Sequence, residues 1–287
     1  MTITPAEIQS NFVAWAQTQP DVRAAFVVGS QARRDHPADR WSDVDIILFV
    51  KDVERWMQDT AWLKNLGPLV LSVAGRTVAG EPERLALFAG CQQADFVFHN
   101  AADLPAMAAM AADCTLAWPD TILRGAYPLL DKEGLFPPFP EACGPAPAVP
   151  PSAEEFRQTL EGFWFSAVYC AKQLRRGELW LFQNASGGML WQLLRMVEWQ
   201  SRVECGWDYD TWHAGKFIAE WAAPEVYAEL EGACSHLDAA DGWSALNKRL
   251  DLFQRLARQV ARGLGYTYPV NVELQIQSGI RAIQSES

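Results

Sequence analysis

A proline-rich segment near the middle of the chain restricts most strongly the folds that this sequence can adopt. Residues 137–151 read PPFPEACGPAPAVPP. Because proline has a fixed φ and no amide hydrogen to donate, this segment favours neither a helix nor a central strand. We therefore predict an extended linker between a first domain, residues 1–136, and a second domain, residues 152–287. The full chain of 287 residues is long enough for two hydrophobic cores.

The two sides of this linker differ in their hydrophobic pattern. Before it, helical spacing occurs at 5–18 and 53–67, and strand patterns occur at 24–30, 44–50, 68–73, 84–90 and 94–100, the last two predicting a hairpin. After it, the pattern is almost entirely helical. A Ser152/Glu155 capping box begins a helix that runs to about Arg176, and Ser186 can cap a second helix that runs to about Glu204. Short helices are expected in 214–235, and a long helix at 241–263. The predicted fold class is α+β, a small mixed sheet with helices followed by a helical bundle.

Charge and composition narrow the classes of partner. The formal net charge is −11, which repels the phosphate backbone of nucleic acids and attracts small cations, although such a charge also simply favours solubility. No apolar run is long enough to span a membrane, and the N-terminus lacks the pattern of a signal peptide. The six cysteines and four histidines are scattered. We expect a cytoplasmic protein, a monomer or homodimer, with reduced thiols and no zinc site.

A Gly-Ser pair and two aspartates carry the clearest chemical signal. An apolar run ends in Gly29 and Ser30, and after twelve further residues Asp43 and Asp45 flank Val44. In a strand, residues two apart point to the same face. Two carboxylates at so short a distance repel one another unless a cation lies between them. Mg²⁺ binds one or two protein carboxylates together with substrate phosphates, and a Gly-Ser turn offers donors to phosphate oxygens. The combination predicts a site for Mg²⁺ and a nucleoside triphosphate, whereas an Asp-x-Asp pair alone is also typical of a solvated strand end.

A third carboxylate is expected at the same site. Asp95 opens the apolar run ADFVFHN, where an acid requires a reason, although a solvated hairpin end is the alternative. Three carboxylates on neighbouring strands can hold two ions about 4 Å apart and stabilise an in-line displacement at phosphorus.

These motifs, with four later segments, resemble a known family. The later segments are LLDKEG (129–134), EEFRQTLEGFWFSAVYCAKQLRRGELW (154–180), LLRMVEWQ (193–200) and HAGKFIAEW (213–221). In this order they are similar to the streptomycin (aminoglycoside) 6-adenylyltransferases of the nucleotidyltransferase superfamily, whose catalytic fold is like that of DNA polymerase beta. The resemblance implies Mg²⁺-dependent transfer of AMP from ATP to a hydroxyl of an aminoglycoside.

The resemblance also implies roles for individual residues. Asp43, Asp45 and Asp95 match the metal-binding catalytic carboxylates, and Gly29 and Ser30 match the phosphate-binding turn. Lys216 matches a lysine of the second domain that reaches the triphosphate, with a solvated helix lysine as the alternative. Gln31 stands where the family commonly has arginine, and Arg33 or Arg34 is a candidate to supply that charge.

The acceptor site is the least defined. A cationic small molecule requires carboxylates, and the candidates are Glu198, Asp208 and Asp210. Glu198 has an alternative role in pairing with Arg195 or Arg202 at helical spacing, and the two aspartates fit a simple loop. Two alternative functions remain: transfer to another hydroxylated acceptor, such as a lincosamide or a metabolite, and nucleotide binding without catalysis.

Overall fold

The computed structural model describes residues 2–112, 118–136, 139–141 and 144–286. The chain divides into two compact units, Met1–Ala146 and Pro147–Ser287. The division falls inside the proline-rich segment, of which residues 137–138 and 142–143 lie outside the described part. The described residues of that segment form neither helix nor strand. Ala146 donates its amide to Asp120 of the first unit, and Ala148 donates to the carbonyl of Trp207 in the second unit.

The first unit is built on one six-stranded mixed sheet. Its strands are β1 (Val22–Val28), β2 (Val44–Val50), β3 (Leu69–Arg76), β4 (Pro82–Phe88), β5 (Gln92–Asn100) and β6 (Tyr127–Asp131). They lie in the order β3-β4-β5-β2-β1-β6, with β2 and β5 parallel and every other neighbouring pair antiparallel. The strand predicted at 44–50 and the hairpin of β4 and β5 are confirmed, and β6 was not predicted.

Helices cover one face of the sheet, because the apolar side chains of its central strands alternate between the two faces. The helices of this unit are α1 (Pro5–Thr18), α2 (Val53–Gln58), α3 (Leu104–Ala112) and α4 (Asp120–Leu123). Most even-numbered residues of β2 and β5 are buried and pack with α1 and α2 in one hydrophobic core, whereas Asn100 at the end of β5 is exposed. The odd-numbered residues point to the opposite face, which is only partly covered by residues around α3. The candidate site residues lie on this second face.

The second unit contains six helices among the residues described. They are α5 (Ala153–Arg175), α6 (Leu179–Cys205), α7 (Ile218–Trp221), α8 (Pro224–Gly232), α9 (Ala239–Leu264) and α10 (Val270–Ser285). The predicted Ser152/Glu155 capping box is present at the start of α5. The α+β class, with a mixed sheet followed by a helical region, is thereby confirmed. No helix among the described residues is long and apolar enough to span a membrane.

Two predicted helix positions are wrong, each for a local reason. The helix predicted at 53–67 ends at Gln58, because the Asp59 carboxylate accepts a hydrogen bond from the amide of Ala61 and starts a separate 3-10 turn. Ser186 caps no helix: α6 already begins at Leu179, and Ser186 is buried within it. α10 was not predicted.

The cysteines are consistent with the expected reduced thiols. Cys91, Cys170, Cys205 and Cys234 carry free thiols, and only Cys170 among them is buried. The remaining cysteines, Cys114 and Cys143, lie outside the described residues.

Candidate active site

The structure brings three predicted carboxylates together at one place on the sheet. Asp45 in β2 lies directly beside Asp95 in the parallel strand β5, and Asp43 immediately precedes β2. All three are partly buried, and one carboxylate oxygen of each lies within 4.8 Å of the others. Asp95 is therefore not the solvated hairpin end considered as its alternative, because it lies inside β5.

A turn at the end of β1 makes room for the Asp45 carboxylate. Gly29, Ser30 and Gln31 form a short 3-10 turn, and Gly29 has a φ of +71°. A Cβ atom at Gly29 would lie 2.1 Å from Asp45 Oδ2, far inside van der Waals contact. Glycine is thus required here both for its backbone conformation and for the close approach of an acid. A glycine was expected here for the approach of a phosphate, and the contact with Asp45 is a second reason for it.

The same turn also holds the backbone of Asp43. Gln31 donates a hydrogen bond from Nε2 to the carbonyl oxygen of Asp43 at 3.1 Å, and Ser30 donates from Oγ to the same oxygen at 3.5 Å. Arg33 donates from Nε to the carbonyl of His36 at 2.6 Å, within the loop that follows. Gln31 therefore positions one of the acids, and contacts of Gln31 and Arg33 with a nucleotide remain a prediction.

The protonation of Asp95 is perturbed. Burial raises the pKa of Asp95 to about 6, the hydrogen bonds from Gln93 oppose this shift, and the carboxylates of Asp43 and Glu83 add to it. Gln93 Nε2 lies 3.0 Å and 3.2 Å from the two Asp95 oxygens. A cation beside these acids would remove the repulsion that disfavours the ionised form of Asp95.

The donor set fits a hard divalent cation. All three groups are carboxylates on adjacent positions of the sheet, with oxygens close enough to share one ion or a pair of ions. Oxygen-only ligands suit Mg²⁺ or Mn²⁺ and lack the histidine or cysteine that zinc sites usually contain. Asp43, Asp45 and Asp95 are the residues that would hold the metal.

Asp95→Asn is expected to stabilise the metal-free protein at pH 7.5. Because the pKa of Asp95 is raised to about 6, the folded state holds its proton more tightly than the unfolded chain does. The free energy of unfolding of the native protein therefore falls as pH rises from about 4 to about 6, and the full penalty is present above pH 6. After solvent screening we expect about 1 kcal/mol, which is a rise of about 2–4 °C in Tm for the variant.

Thermal melts in EDTA from pH 4 to pH 8 check this expectation. The stabilisation should shrink towards pH 4, because Asp95 of the native protein is then protonated and as uncharged as the asparagine of the variant. Asp103→Asn, at an exposed position of the same unit, is the control. A gain in Tm for Asp95→Asn that does not vary with pH would contradict the proposed role of the carboxylate charge.

The other predicted site residues belong to the second unit. Lys216 is exposed in a loop where Trp212, Ala214 and Phe217 all have positive φ. Asp208 is exposed, and Asp210 accepts a hydrogen bond from the amide of Trp212 at 2.9 Å, which is a local turn contact.

Glu198 lies in α6 and is partly buried. Burial raises the pKa of Glu198, while Arg202 and Arg195 act in the opposite direction. Within the described part of the chain neither arginine forms a direct ion pair with Glu198, so the pairing considered from the sequence is present only as a longer-range electrostatic interaction.

Two residues near Asp95 were not predicted from the sequence. Gln93 binds the Asp95 carboxylate, and Glu83 in β4 influences its charge. Gln93 was detectable, because it precedes Asp95 by two residues and hence shares its face of the strand. Glu83 was not, because its position depends on the pairing of β4 with β5.

Comparisons with known proteins give the family. The model of the streptomycin adenylyltransferase family matches residues 3–282. Aminoglycoside 6-adenylyltransferases of Bacillus subtilis (strain 168) and Campylobacter jejuni are 26% and 24% identical, and each alignment covers 92% of this chain and at least 90% of the relative. A crystal structure of an aminoglycoside 6-adenyltransferase from Bacillus subtilis is similar with a TM-score of 0.48 and 20% identity, covering 99% of this chain and 100% of that one. Since the family match spans nearly the whole chain, this protein belongs to the streptomycin adenylyltransferase family and is a nucleotidyltransferase.

Proposed function

We propose that this protein transfers AMP from ATP to a hydroxyl group of an aminoglycoside in a Mg²⁺-dependent reaction. The observation that carries the proposal is the convergence of Asp43, Asp45 and Asp95 within 4.8 Å. The acceptor class is supported by relatives named aminoglycoside 6-adenylyltransferases and by the family match. Streptomycin, which the family name contains, is the first acceptor to test.

The reaction forms one bond at phosphorus and breaks another. The acceptor oxygen bonds to the α-phosphorus of ATP, the bond from that phosphorus to the bridging oxygen breaks, pyrophosphate leaves, and the hydroxyl loses its proton. Negative charge on the phosphate oxygens opposes this approach. A divalent cation held by the three aspartates would supply the positive charge that the phosphates require in the transition state.

Protein groups then have distinct tasks. Asp95 lies beside Asp45 on the neighbouring strand and is proposed to act either as a metal ligand or as the base that accepts the hydroxyl proton. The turn containing Gly29 and Ser30 lies beside the acids and would face the triphosphate. Arg33 and Lys216 are the basic residues proposed to bind its outer phosphates.

The acceptor side is expected to be acidic. The net charge of −11 favours a cationic small molecule over nucleic acid. We propose Glu198 and Asp208 as carboxylates that bind its positively charged groups, with Asp210 contributing through the loop that it orders. The protein is proposed to work in the cytoplasm, where ATP is present.

A transfer assay tests the proposal. The protein is incubated with ATP labelled at the α-phosphate, Mg²⁺ and streptomycin, and the product is identified by mass spectrometry together with released pyrophosphate. We expect an adduct of AMP and streptomycin with Mg²⁺ present and none in EDTA. Asp45→Asn is the inactive control.

A panel of acceptors separates the alternatives. Transfer to a lincosamide or a neutral polyol, with none to any aminoglycoside, would keep the chemistry and overturn the acceptor. Saturable Mg²⁺-dependent binding of ATP without transfer to any member of the panel would overturn the catalytic proposal.

A further inference from the structure

The open face of the sheet continues beyond the three aspartates to a further carboxylate. In the pairing of β4 with β5, Leu85 lies opposite Asp95 and Glu83 lies opposite Val97. Glu83 is therefore a diagonal neighbour of Asp95 on the same face. The Cα atoms of such diagonal positions are typically about 7–8 Å apart. This is the face that is left partly uncovered.

Glu83 reaches over a position that has no side chain. Gly75 in β3 is its partner across the sheet, and Glu83 Oε2 lies 3.6 Å from where a Cβ of Gly75 would be. Glu83 is partly buried, and within the described residues no lysine, arginine or histidine forms an ion pair with it. A carboxylate in such surroundings interacts with a cation more strongly than a fully exposed one does.

The surface around Glu83 is apolar and open. Val73 lies opposite Leu85, and Leu71 opposite Leu87, so these side chains share the face of Glu83. Leu71 and Val73 are 50% and 52% exposed. Contiguous exposed apolar residues beside a catalytic site indicate a binding surface. The exposed apolar side chains can contact the carbon face of a sugar or cyclitol ring, and the Glu83 carboxylate can bind a positive group that the ring carries.

We infer that Glu83 is a specificity-determining residue that binds an ammonium or guanidinium group of the acceptor and thereby places a hydroxyl of the acceptor beside Asp95. The inference rests on the proposed function, because it concerns the acceptor of the same reaction. Because Glu83 and Asp95 lie on the same face of neighbouring strands, one acceptor molecule can place a cationic substituent at Glu83 and a hydroxyl at Asp95. Glu83 would favour cationic acceptors over neutral ones of the same shape.

A role for Glu83 as a fourth metal ligand is distinguishable from this inference. Among the residues described, Asp43, Asp45 and Asp95 form the one group of three or more possible ligand residues whose atoms all lie within 4.8 Å of one another, and Glu83 is not a member of it. Loss of a metal ligand would weaken the Mg²⁺-dependent binding of ATP, whereas loss of an acceptor contact would not.

The test compares Glu83→Gln with Glu54→Gln, which removes the same charge from α2 on the opposite face of the sheet. For Glu83→Gln we expect kcat/KM for streptomycin to fall about 10–100-fold, mainly through KM, because a hydrogen-bonded charge contact is lost. Binding of ATP with Mg²⁺ should equal that of the wild type. Calorimetry should show weaker streptomycin binding to Glu83→Gln, and a smaller loss of affinity with added salt. Glu54→Gln should match the wild type in all of these.

The outcomes separate the inference from the proposed function. Wild-type transfer and binding by Glu83→Gln would overturn the inference and leave the proposed function intact. Absence of AMP transfer by the wild type would overturn the proposed function, and calorimetry would still test Glu83 through streptomycin binding alone. A wild type that binds no streptomycin, or a Glu83→Gln variant with impaired Mg²⁺-dependent ATP binding, would also overturn the inference.

Discussion

Asp45→Asn is expected to lower the rate of AMP transfer at least about 1,000-fold while the protein stays folded. The substitution removes one of two carboxylates that lie side by side in β2 and β5 and that are proposed to hold the metal. A loss of this size corresponds to about 4 kcal/mol of transition-state stabilisation, which is within the range that a bound metal supplies. Because one charge of a repelling group is removed, the Tm in EDTA should hold or rise.

Thermal shift provides a readout that does not depend on the acceptor. ATP with Mg²⁺ should raise the Tm of the wild type and of Asp103→Asn, and should leave that of Asp45→Asn nearly unchanged. Turnover at the wild-type rate by Asp45→Asn would disprove the metal assignment.

Gly29→Ala is expected to reduce transfer about 100-fold with little loss of stability beyond backbone strain. The added Cβ would lie 2.1 Å from Asp45 Oδ2, and the end of a side chain moves more easily than the turn does. The clash is therefore relieved by rotation of the Asp45 carboxylate away from its partners. A misplacement of about 1 Å in a catalytic group costs about 100-fold in rate.

Gly134→Ala is the matched control. Gly134 has a φ of +66°, close to the +71° of Gly29, and a Cβ there meets nothing within 4 Å. Both variants carry the cost of a left-handed alanine, about 1 kcal/mol, but only Gly29→Ala disturbs the acids. Rates and Tm values of the two variants are compared directly. Equal rates would show that the close approach of Gly29 to Asp45 has no catalytic importance.

The sequence predicted the strands of the first unit better than its helices. The run VDIILFV coincides with β2, because a buried strand is a short apolar run bounded by polar residues. The helix predicted at 53–67 failed because its apolar spacing continues through Asp59, where a side-chain hydrogen bond breaks the backbone pattern. Ser186 suggested the start of a helix, yet α6 runs through it and through the two glycines that follow, because packing of α6 in the core overrides their weak helix propensity.

The candidate site was predictable in its residues but not in its arrangement. Spacing alone placed Asp43 and Asp45 on one face. That Asp95 adjoins Asp45 follows from parallel pairing of β2 with β5, which joins segments about fifty residues apart and has no local signal. The same holds for Glu83, which is brought to this face by the pairing of β4 with β5. The contact of Gly29 with Asp45 depends on both the turn and the strand order.

Diffraction from crystals grown with Mn²⁺ and a non-hydrolysable ATP analogue tests the metal site most directly. Mn²⁺ prefers the same oxygen ligands as Mg²⁺ and is located by its anomalous signal. We predict anomalous density with Asp43, Asp45 and Asp95 oxygens at about 2 Å, and with the triphosphate of the analogue bound to the same ion or ions. If the analogue binds with its metal ion away from these three carboxylates, the proposal that they hold the metal is contradicted.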